Sequence, residues 1–210
     1  MGFGILIIGF FIAYVGAITP FVSFTFVLGS GIIVYSLVNL STENQFFFGS
    51  IVGYTVELVI SLVVMIMYLF GKGSGDFYSA LVGIQTYLSH ALALLLMLGI
   101  ASISAKVELK HLQARAIING AFVVLTLIFT ALLDIVTGSF AISRLGVIYV
   151  ICQIIYTFFG LFVIFNAYMR ICYEDDKDME GTSGGFAPFD VLNRFFDRAT
   201  KRNNNKKDKK

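Results

Sequence analysis

Long apolar runs separated by short polar gaps dominate the first 170 residues of the chain. The first charged side chain is Glu43, and the residues before it are almost continuously apolar. A helix needs about 20 apolar residues to cross a hydrocarbon core ~30 Å thick. The pattern therefore predicts an all-α protein, a polytopic bundle of six transmembrane helices over residues 1–170. The predicted spans cover residues 2–18, 21–40, 46–70, 77–104, 116–138 and 145–169.

Pro20 divides the first two of these runs. Proline lacks a backbone N–H and tends to stop one helix or start the next, so we expect two spans there. The first span is short, about 25 Å at 1.5 Å per residue. One interfacial or re-entrant segment in its place, giving five spans in all, is the alternative. No Lys or Arg precedes the first run, as a cleaved signal peptide would require, so we expect the segment to be retained.

Basic residues are concentrated at one set of connections. All but two of the 15 Lys and Arg residues, Lys72 and Arg144, lie in the segment 105–115 or after residue 169. We expect the segment 105–115, including Arg115, to be a connecting loop. Because Lys and Arg are enriched in cytoplasmic loops, the pattern predicts a multi-pass protein of the cell membrane with a cytoplasmic C-terminus.

The composition agrees with a protein embedded in lipid. Hydrophobic residues make up 58% of the chain and charged residues 13%, about half the charged fraction of a soluble domain. The two cysteines have no disulfide or metal-ligand spacing. Walker, HExxH, Rossmann and GxSxG patterns are all absent from the sequence. We therefore expect no cofactor, no metal site and no nucleic-acid partner. The sequence leans against an enzyme, although Glu57 and His90 could serve as acid and base in a reaction.

Two ionisable side chains, Glu57 and His90, lie near the middle of the third and fourth predicted spans. The connection between these spans is short, so the spans should pack side by side with both residues at a similar depth. An ionisable group at that depth costs several kcal/mol and normally faces a partner or the bundle interior. We predict that the two side chains meet and form a proton- or cation-responsive pair on a path for a small substrate or ion. A fixed structural link is the alternative.

Other polar and small residues recur at three- and four-residue steps on single helix faces. Such polar side chains often form only interhelical hydrogen bonds worth ~1 kcal/mol. Asp134 lies near the outer end of its span, where it could instead pair with Arg144. The further polar candidates are Gln85, Thr130, Asp134 and Gln153, and the helix-packing candidates are Gly9, Ala13, Gly49, Gly53 and Ser61.

The segment 171–210 differs from the rest of the chain. It contains an acidic linker, a predicted amphipathic helix at 188–202 and a polar, basic end that we expect to be disordered. We predict that the helix binds anionic lipid headgroups or a cytoplasmic protein partner, with a purely solubilising tail as the third alternative. Its apolar face and basic flanks comprise Phe189, Leu192, Phe196, Arg194 and Arg198.

The opening MGFGILIIGFF and the segment RICYEDDKDM resemble small polytopic membrane proteins of bacteria. This resemblance implies a helical membrane protein of bacterial origin and transfers no activity or site residue. In length and helix count the chain is also similar to the six-helix substrate-binding subunits of vitamin transporters, an analogy of fold alone. Two functions stay open: a small transport or substrate-binding membrane protein, and a non-transporting scaffold or sensor that acts through its tail.

Overall fold

The computed structural model describes residues 2–15, 22–40, 45–135 and 139–171, without the side chains of 2, 22, 23, 39 and 139–144. These residues are almost entirely helical and include no strand. Six helices follow one another: α1 (Gly2–Phe10, continued by a π-helical turn at Phe11–Val15), α2 (Val22–Leu40), α3 (Gln45–Leu69), α4 (Asp76–Lys106), α5 (Lys110–Ile135) and α6 (Ser139–Ile171). The predicted all-α bundle of six helices is confirmed. The predicted tail helix lies outside the described residues.

The fifth and sixth helices begin earlier than their apolar runs. α5 starts at Lys110 and α6 at Ser139, each six residues before the predicted span. A first helical turn tolerates polar residues, because its N–H groups need no intrahelical acceptor and can face water. Only Val107–Leu109 separates α4 from α5, and Glu108 adopts a positive φ of 58° there.

Arg115 consequently lies inside α5 and not in a loop, so our placement of it is wrong. The side chain is only 3% exposed, and its guanidinium carbon lies 5.3 Å from the centre of the Phe162 ring of α6. The long stem of an arginine can pack among apolar groups while its cationic head is attracted to an aromatic face. This explains how a charge at the end of an apolar run is buried.

Residues 2–15 and 22–40 form two antiparallel helices that cross closely. A Cβ built on Gly29 of α2 would lie 2.5 Å from the backbone nitrogen of Ala13, and one built on Gly9 would lie 2.9 Å from that of Ile33. These two contacts show that the helices run in opposite directions. Only a residue without a side chain allows two helix backbones to approach this closely.

Helices that are consecutive in sequence pack against each other, and α6 returns to pack against α1. A Cβ on Gly4 would contact the Tyr168 ring at 3.5 Å, which places the start of α1 beside the end of α6. The rings of Phe3 and Phe47 are 6.2 Å apart and bring the start of α3 to the same end. The α4–α5 connection lies at that end as well, since Phe47 contacts Gly99 near the end of α4.

Many large apolar side chains are exposed on the outside of the bundle, while several polar side chains are buried inside it, unlike in a water-soluble protein. On α3, Glu57 and Ser61 are completely buried, whereas Val52, Val56 and Val59 are exposed. In the part of the chain that the structure describes, four helices are long and apolar enough to cross a membrane, and the segments Phe3–Val15 and Phe24–Val38 are shorter apolar helices. Apolar outer surfaces of this extent are typical of contact with lipid.

Candidate functional site

Glu57 lies midway along α3 and is completely buried. Its Oε2 accepts a hydrogen bond of 3.1 Å from the Ser30 hydroxyl of α2. Its other oxygen, Oε1, is buried and has no hydrogen-bond partner. One half of the carboxyl group is thus held between two helices, and the other half is left without a protein partner.

His90 lies near the middle of α4 and is 3% exposed. Its Nδ1 is 2.7 Å from the carbonyl oxygen of Thr86, one turn earlier. A carbonyl oxygen only accepts hydrogen bonds, so this geometry assigns the proton to Nδ1. In the neutral ring Nε2 is then an acceptor, and it too is buried without a partner.

The direct pair that we predicted between Glu57 and His90 is not present: each side chain bonds to another residue, and the remaining atom of each has no hydrogen-bond partner. Two tyrosines connect their surroundings. The Tyr14 hydroxyl donates to the carbonyl oxygen of Ser89, the residue before His90, at 2.8 Å. Its single proton is used in that bond, so the 3.0 Å contact between the Tyr14 and Tyr54 hydroxyls is donated by Tyr54, which lies one turn before Glu57 on α3.

Aromatic rings surround this hydroxyl pair and the histidine. Phe10 stacks on Tyr14 with ring centres 4.3 Å apart, and the ring of Tyr156 from α6 meets Tyr14 edge-on at 6.1 Å. Tyr156 also lies beside His90, with ring centres 5.7 Å apart. Five of the six helices therefore contribute to one polar and aromatic cluster: the α1 segment with its π turn, α2, α3, α4 and α6.

The π-helical turn Phe11–Val15 contains Tyr14. A π turn inserts an additional residue into a helix, which changes the direction of the side chains that follow, and such turns are frequent at functional sites. Sequence reasoning missed Tyr14, because no spacing rule for an α-helix predicts where a π turn falls. Tyr54 could have been found, since it lies three residues before Glu57 on the same face.

The remaining polar candidates lie apart from this cluster or bond locally. Gln85 Nε2 donates to the Ser61 hydroxyl at 2.9 Å and joins α4 to α3. Asp134 is exposed and accepts a 2.5 Å hydrogen bond from the Tyr87 hydroxyl, while the side chain of Arg144 lies outside the described residues. Thr130 bonds to a carbonyl of its own helix, and Gln153 is partly exposed on α6.

The small residues of α3 differ in their surroundings. A Cβ on Gly53 would lie 2.1 Å from Leu92 Cδ2, so α3 and α4 are in close contact there. Gly49 is exposed, and a Cβ on it would meet no atom within 4 Å. The structure thus places Gly53 and Ser61 at helix contacts, together with Gly9 and Ala13, but not Gly49.

A second group of buried polar atoms lies between α5 and α6. Asn119 is completely buried with neither amide atom hydrogen-bonded, and the hydroxyl of Thr157 has no partner either. Gly160 faces the Asn119 amide, since a Cβ on it would lie 2.9 Å from Nδ2. Thr157 gave no signal in the sequence, because a threonine in an apolar helix usually bonds to the preceding turn.

Within the described ranges, no group of three or more His, Cys, Asp and Glu side chains could hold a metal ion. The candidate residues at the centre of the bundle are one carboxyl group, one imidazole and a set of hydroxyl groups. Protein-family models, curated proteins and solved structures were each compared with the chain, and none matches it.

Proposed function

We propose that the chain is a small multi-pass membrane protein that binds or carries a small polar substrate or ion at the cluster around Glu57 and His90. The cluster lies midway along two of the helices that are long enough to span a bilayer. Ionisable residues at such a depth are expensive and are typical of substrate paths and proton relays.

The observation that carries the proposal is the pair of unpartnered atoms, Glu57 Oε1 and His90 Nε2. A buried polar atom without a hydrogen bond destabilises a fold by about 1–3 kcal/mol, and in lipid no solvent offsets that cost. A purely structural link would satisfy both groups, as Gln85 and Ser61 satisfy each other. The unsatisfied atoms support a site whose partner is a ligand.

The proposed orientation places the end of α6 in the cytoplasm and the protein in the cell membrane. Lys106, Lys110 and Arg170 are exposed at the bundle end that contains the α4–α5 connection and the end of α6. This enrichment of basic residues at one end supports the assignment by the positive-inside rule. The start of α1 lies at the same end, as expected for six crossings.

Proton uptake into proteoliposomes tests the proposal. The full chain is reconstituted, a K⁺ diffusion potential is applied, and a trapped pH-sensitive dye reports uptake across a range of external pH. We expect Glu57→Gln and His90→Ala to reduce the rate at least about tenfold, because each removes a titratable group from the path. Asp134→Asn, which changes an exposed carboxyl outside the cluster, is the matched control and should retain the wild-type rate.

Uptake at the wild-type rate in both cluster variants would contradict the proposal. The non-transporting scaffold or sensor would then be the better account of the protein. Gel filtration of each variant in detergent shows whether a lower rate reflects the site or a loss of folding.

A further inference from the structure

The two cluster atoms that lack a hydrogen-bond partner, Glu57 Oε1 and His90 Nε2, are of the same kind. The Nδ1 proton of His90 is bonded to the Thr86 carbonyl, so Nε2 presents only a lone pair. The Oε1 atom of an ionised Glu57 likewise only accepts. Both open atoms are then acceptors, and both are buried within the bundle.

Three neighbouring hydroxyl groups already donate to other acceptors. The Ser30 proton goes to Glu57 Oε2, the Tyr14 proton to the carbonyl oxygen of Ser89, and the Tyr54 proton to the Tyr14 oxygen. Filling the two open acceptors from these groups would break an existing interhelical bond. A ligand that brings its own donors would complete both acceptors and leave these bonds intact.

The aromatic rings favour a ligand that also has a positive charge. The rings of Tyr149 and Tyr156 flank His90, with centres 6.3 and 5.7 Å from the centre of the imidazole. Aromatic faces attract cations, and most strongly where water is excluded. An ionised Glu57 adds a full negative charge to the cluster, which favours a cationic ligand over an anionic one.

An ammonium group fits this site better than a metal ion. Hard cations such as Mg²⁺ and Ca²⁺ take six or more oxygen ligands, and the described residues include no metal-binding group. An ammonium group instead directs separate N–H donors at separate acceptors, of which one can be an imidazole nitrogen. If Glu57 is protonated before binding, a neutral amine takes that proton and the bound pair is again ammonium and carboxylate.

We propose that the site binds a small primary ammonium cation, with Glu57 Oε1 and His90 Nε2 as its two hydrogen-bond acceptors and the surrounding tyrosine rings as its walls. This inference rests on the proposed function and names the class of its substrate. The ligand must have two properties, a positive charge and N–H donors, whereas attraction between charges alone would require only the first.

Binding of radiolabelled methylammonium to the purified full chain in detergent tests whether both properties are needed. Unlabelled methylammonium should compete, while tetramethylammonium (charge without donors) and acetamide (donors without charge) should compete at least about tenfold less well. A charged hydrogen bond is worth about 1.5–3 kcal/mol, so Glu57→Gln and His90→Leu should each weaken binding by about tenfold or more. Asp134→Asn should bind as the wild type does.

Equal competition by tetramethylammonium or by acetamide would overturn the proposal, as would the absence of saturable methylammonium binding. The competition series uses wild-type protein alone, so it decides the matter even if a cluster variant fails to fold. Absent methylammonium binding with proton uptake that still depends on Glu57 and His90 would reject the ligand class and leave the proposed function standing. Loss of both dependences would reject both.

Discussion

At the level of single residues, Tyr14 connects more parts of the bundle than either ionisable residue does. Its hydroxyl bonds to the Tyr54 side chain of α3 and to the Ser89 backbone of α4, and its ring contacts Phe10 and Tyr156. The position of Tyr14 therefore determines how the surroundings of Glu57 and of His90 are joined.

Tyr14→Phe should lower the free energy of unfolding by about 1 kcal/mol and by no more than ~2 kcal/mol. The ring is retained, but the hydrogen bonds to Tyr54 and Ser89 are lost, and interhelical bonds in membrane proteins have this modest worth. Denaturant unfolding in detergent micelles measures the change. Tyr87→Phe, which removes one hydrogen bond to the exposed Asp134, is the control and should change stability by less than about 0.5 kcal/mol. An equal loss in both variants would contradict the importance given to Tyr14.

Residue spacing alone was enough to predict that Glu57 and His90 lie near the middle of two neighbouring helices. It could not show which atoms they bond, because Ser30 reaches Glu57 from another helix, whose rotation local spacing does not fix, and Tyr14 is positioned by a π turn. The burial of Arg115 was missed for a related reason. Its partner, Phe162, comes from α6, and a charge beside an apolar run is predicted as a loop residue when only local sequence is considered.

At the level of helices, the backbone of α2 closely approaches the π turn that follows α1. Gly29 contacts the backbone of Ala13, so the separation of the two helices has no room for a methyl group. Two residues later, Gly31 has more room, because the nearest atom to a Cβ built on it is Leu58 Cδ1, at 3.9 Å. Replacing each of these two glycines of α2 by alanine distinguishes two effects: both variants gain helix propensity, but only the one at Gly29 introduces a clash.

Gly29→Ala should destabilise the protein by about 1–3 kcal/mol, because the added methyl group would overlap the Ala13 backbone and force the helices apart. Gly31→Ala should be neutral or stabilising by up to about 1 kcal/mol, since alanine favours a helix and meets no clash there. Thermal unfolding of both variants in the same detergent tests the difference. If Gly29→Ala were as stable as Gly31→Ala, the close crossing of α2 with the α1 segment would be wrong.

The existence of the helices could be predicted more reliably than their first turns. An apolar run marks the part of a helix that lies in an apolar environment. Where the helix extends beyond that environment, its polar turns fall outside the run and are missed. This accounts for the early starts of α5 and α6 and for the short Val107–Leu109 connection. The number of helices in the first 40 residues was correct, because a proline marks the boundary by its backbone chemistry.

At the level of the whole molecule, the proposed orientation can be tested by cysteine labelling. Lys72 lies in the α3–α4 connection and Lys110 at the start of α5, at opposite ends of the bundle. With Cys152 and Cys172 replaced by serine, a membrane-impermeant maleimide should label Lys72→Cys in intact cells and Lys110→Cys only after permeabilisation. The reverse result would invert the orientation, and labelling of both in intact cells would contradict the crossing of α4.

The all-α bundle followed from the sequence because lipid admits few alternatives: backbone groups in an apolar medium must be bonded within their own helix. The arrangement of the helices could not be predicted from the sequence, since the apolar surface of a helix does not specify which other helices pack against it. The contact between α1 and α6 depends on residues such as Gly4 and Tyr168, which are more than 150 positions apart.

That contact closes the six helices into a ring in which chain order is also spatial order. Each helix has its two neighbours in sequence as neighbours in space, and the last adjoins the first. The covalent linkers therefore connect segments that already touch, and none has to reach across the circle. Opening the polypeptide at any one linker and joining the end of α6 to the start of α1 would preserve every adjacency.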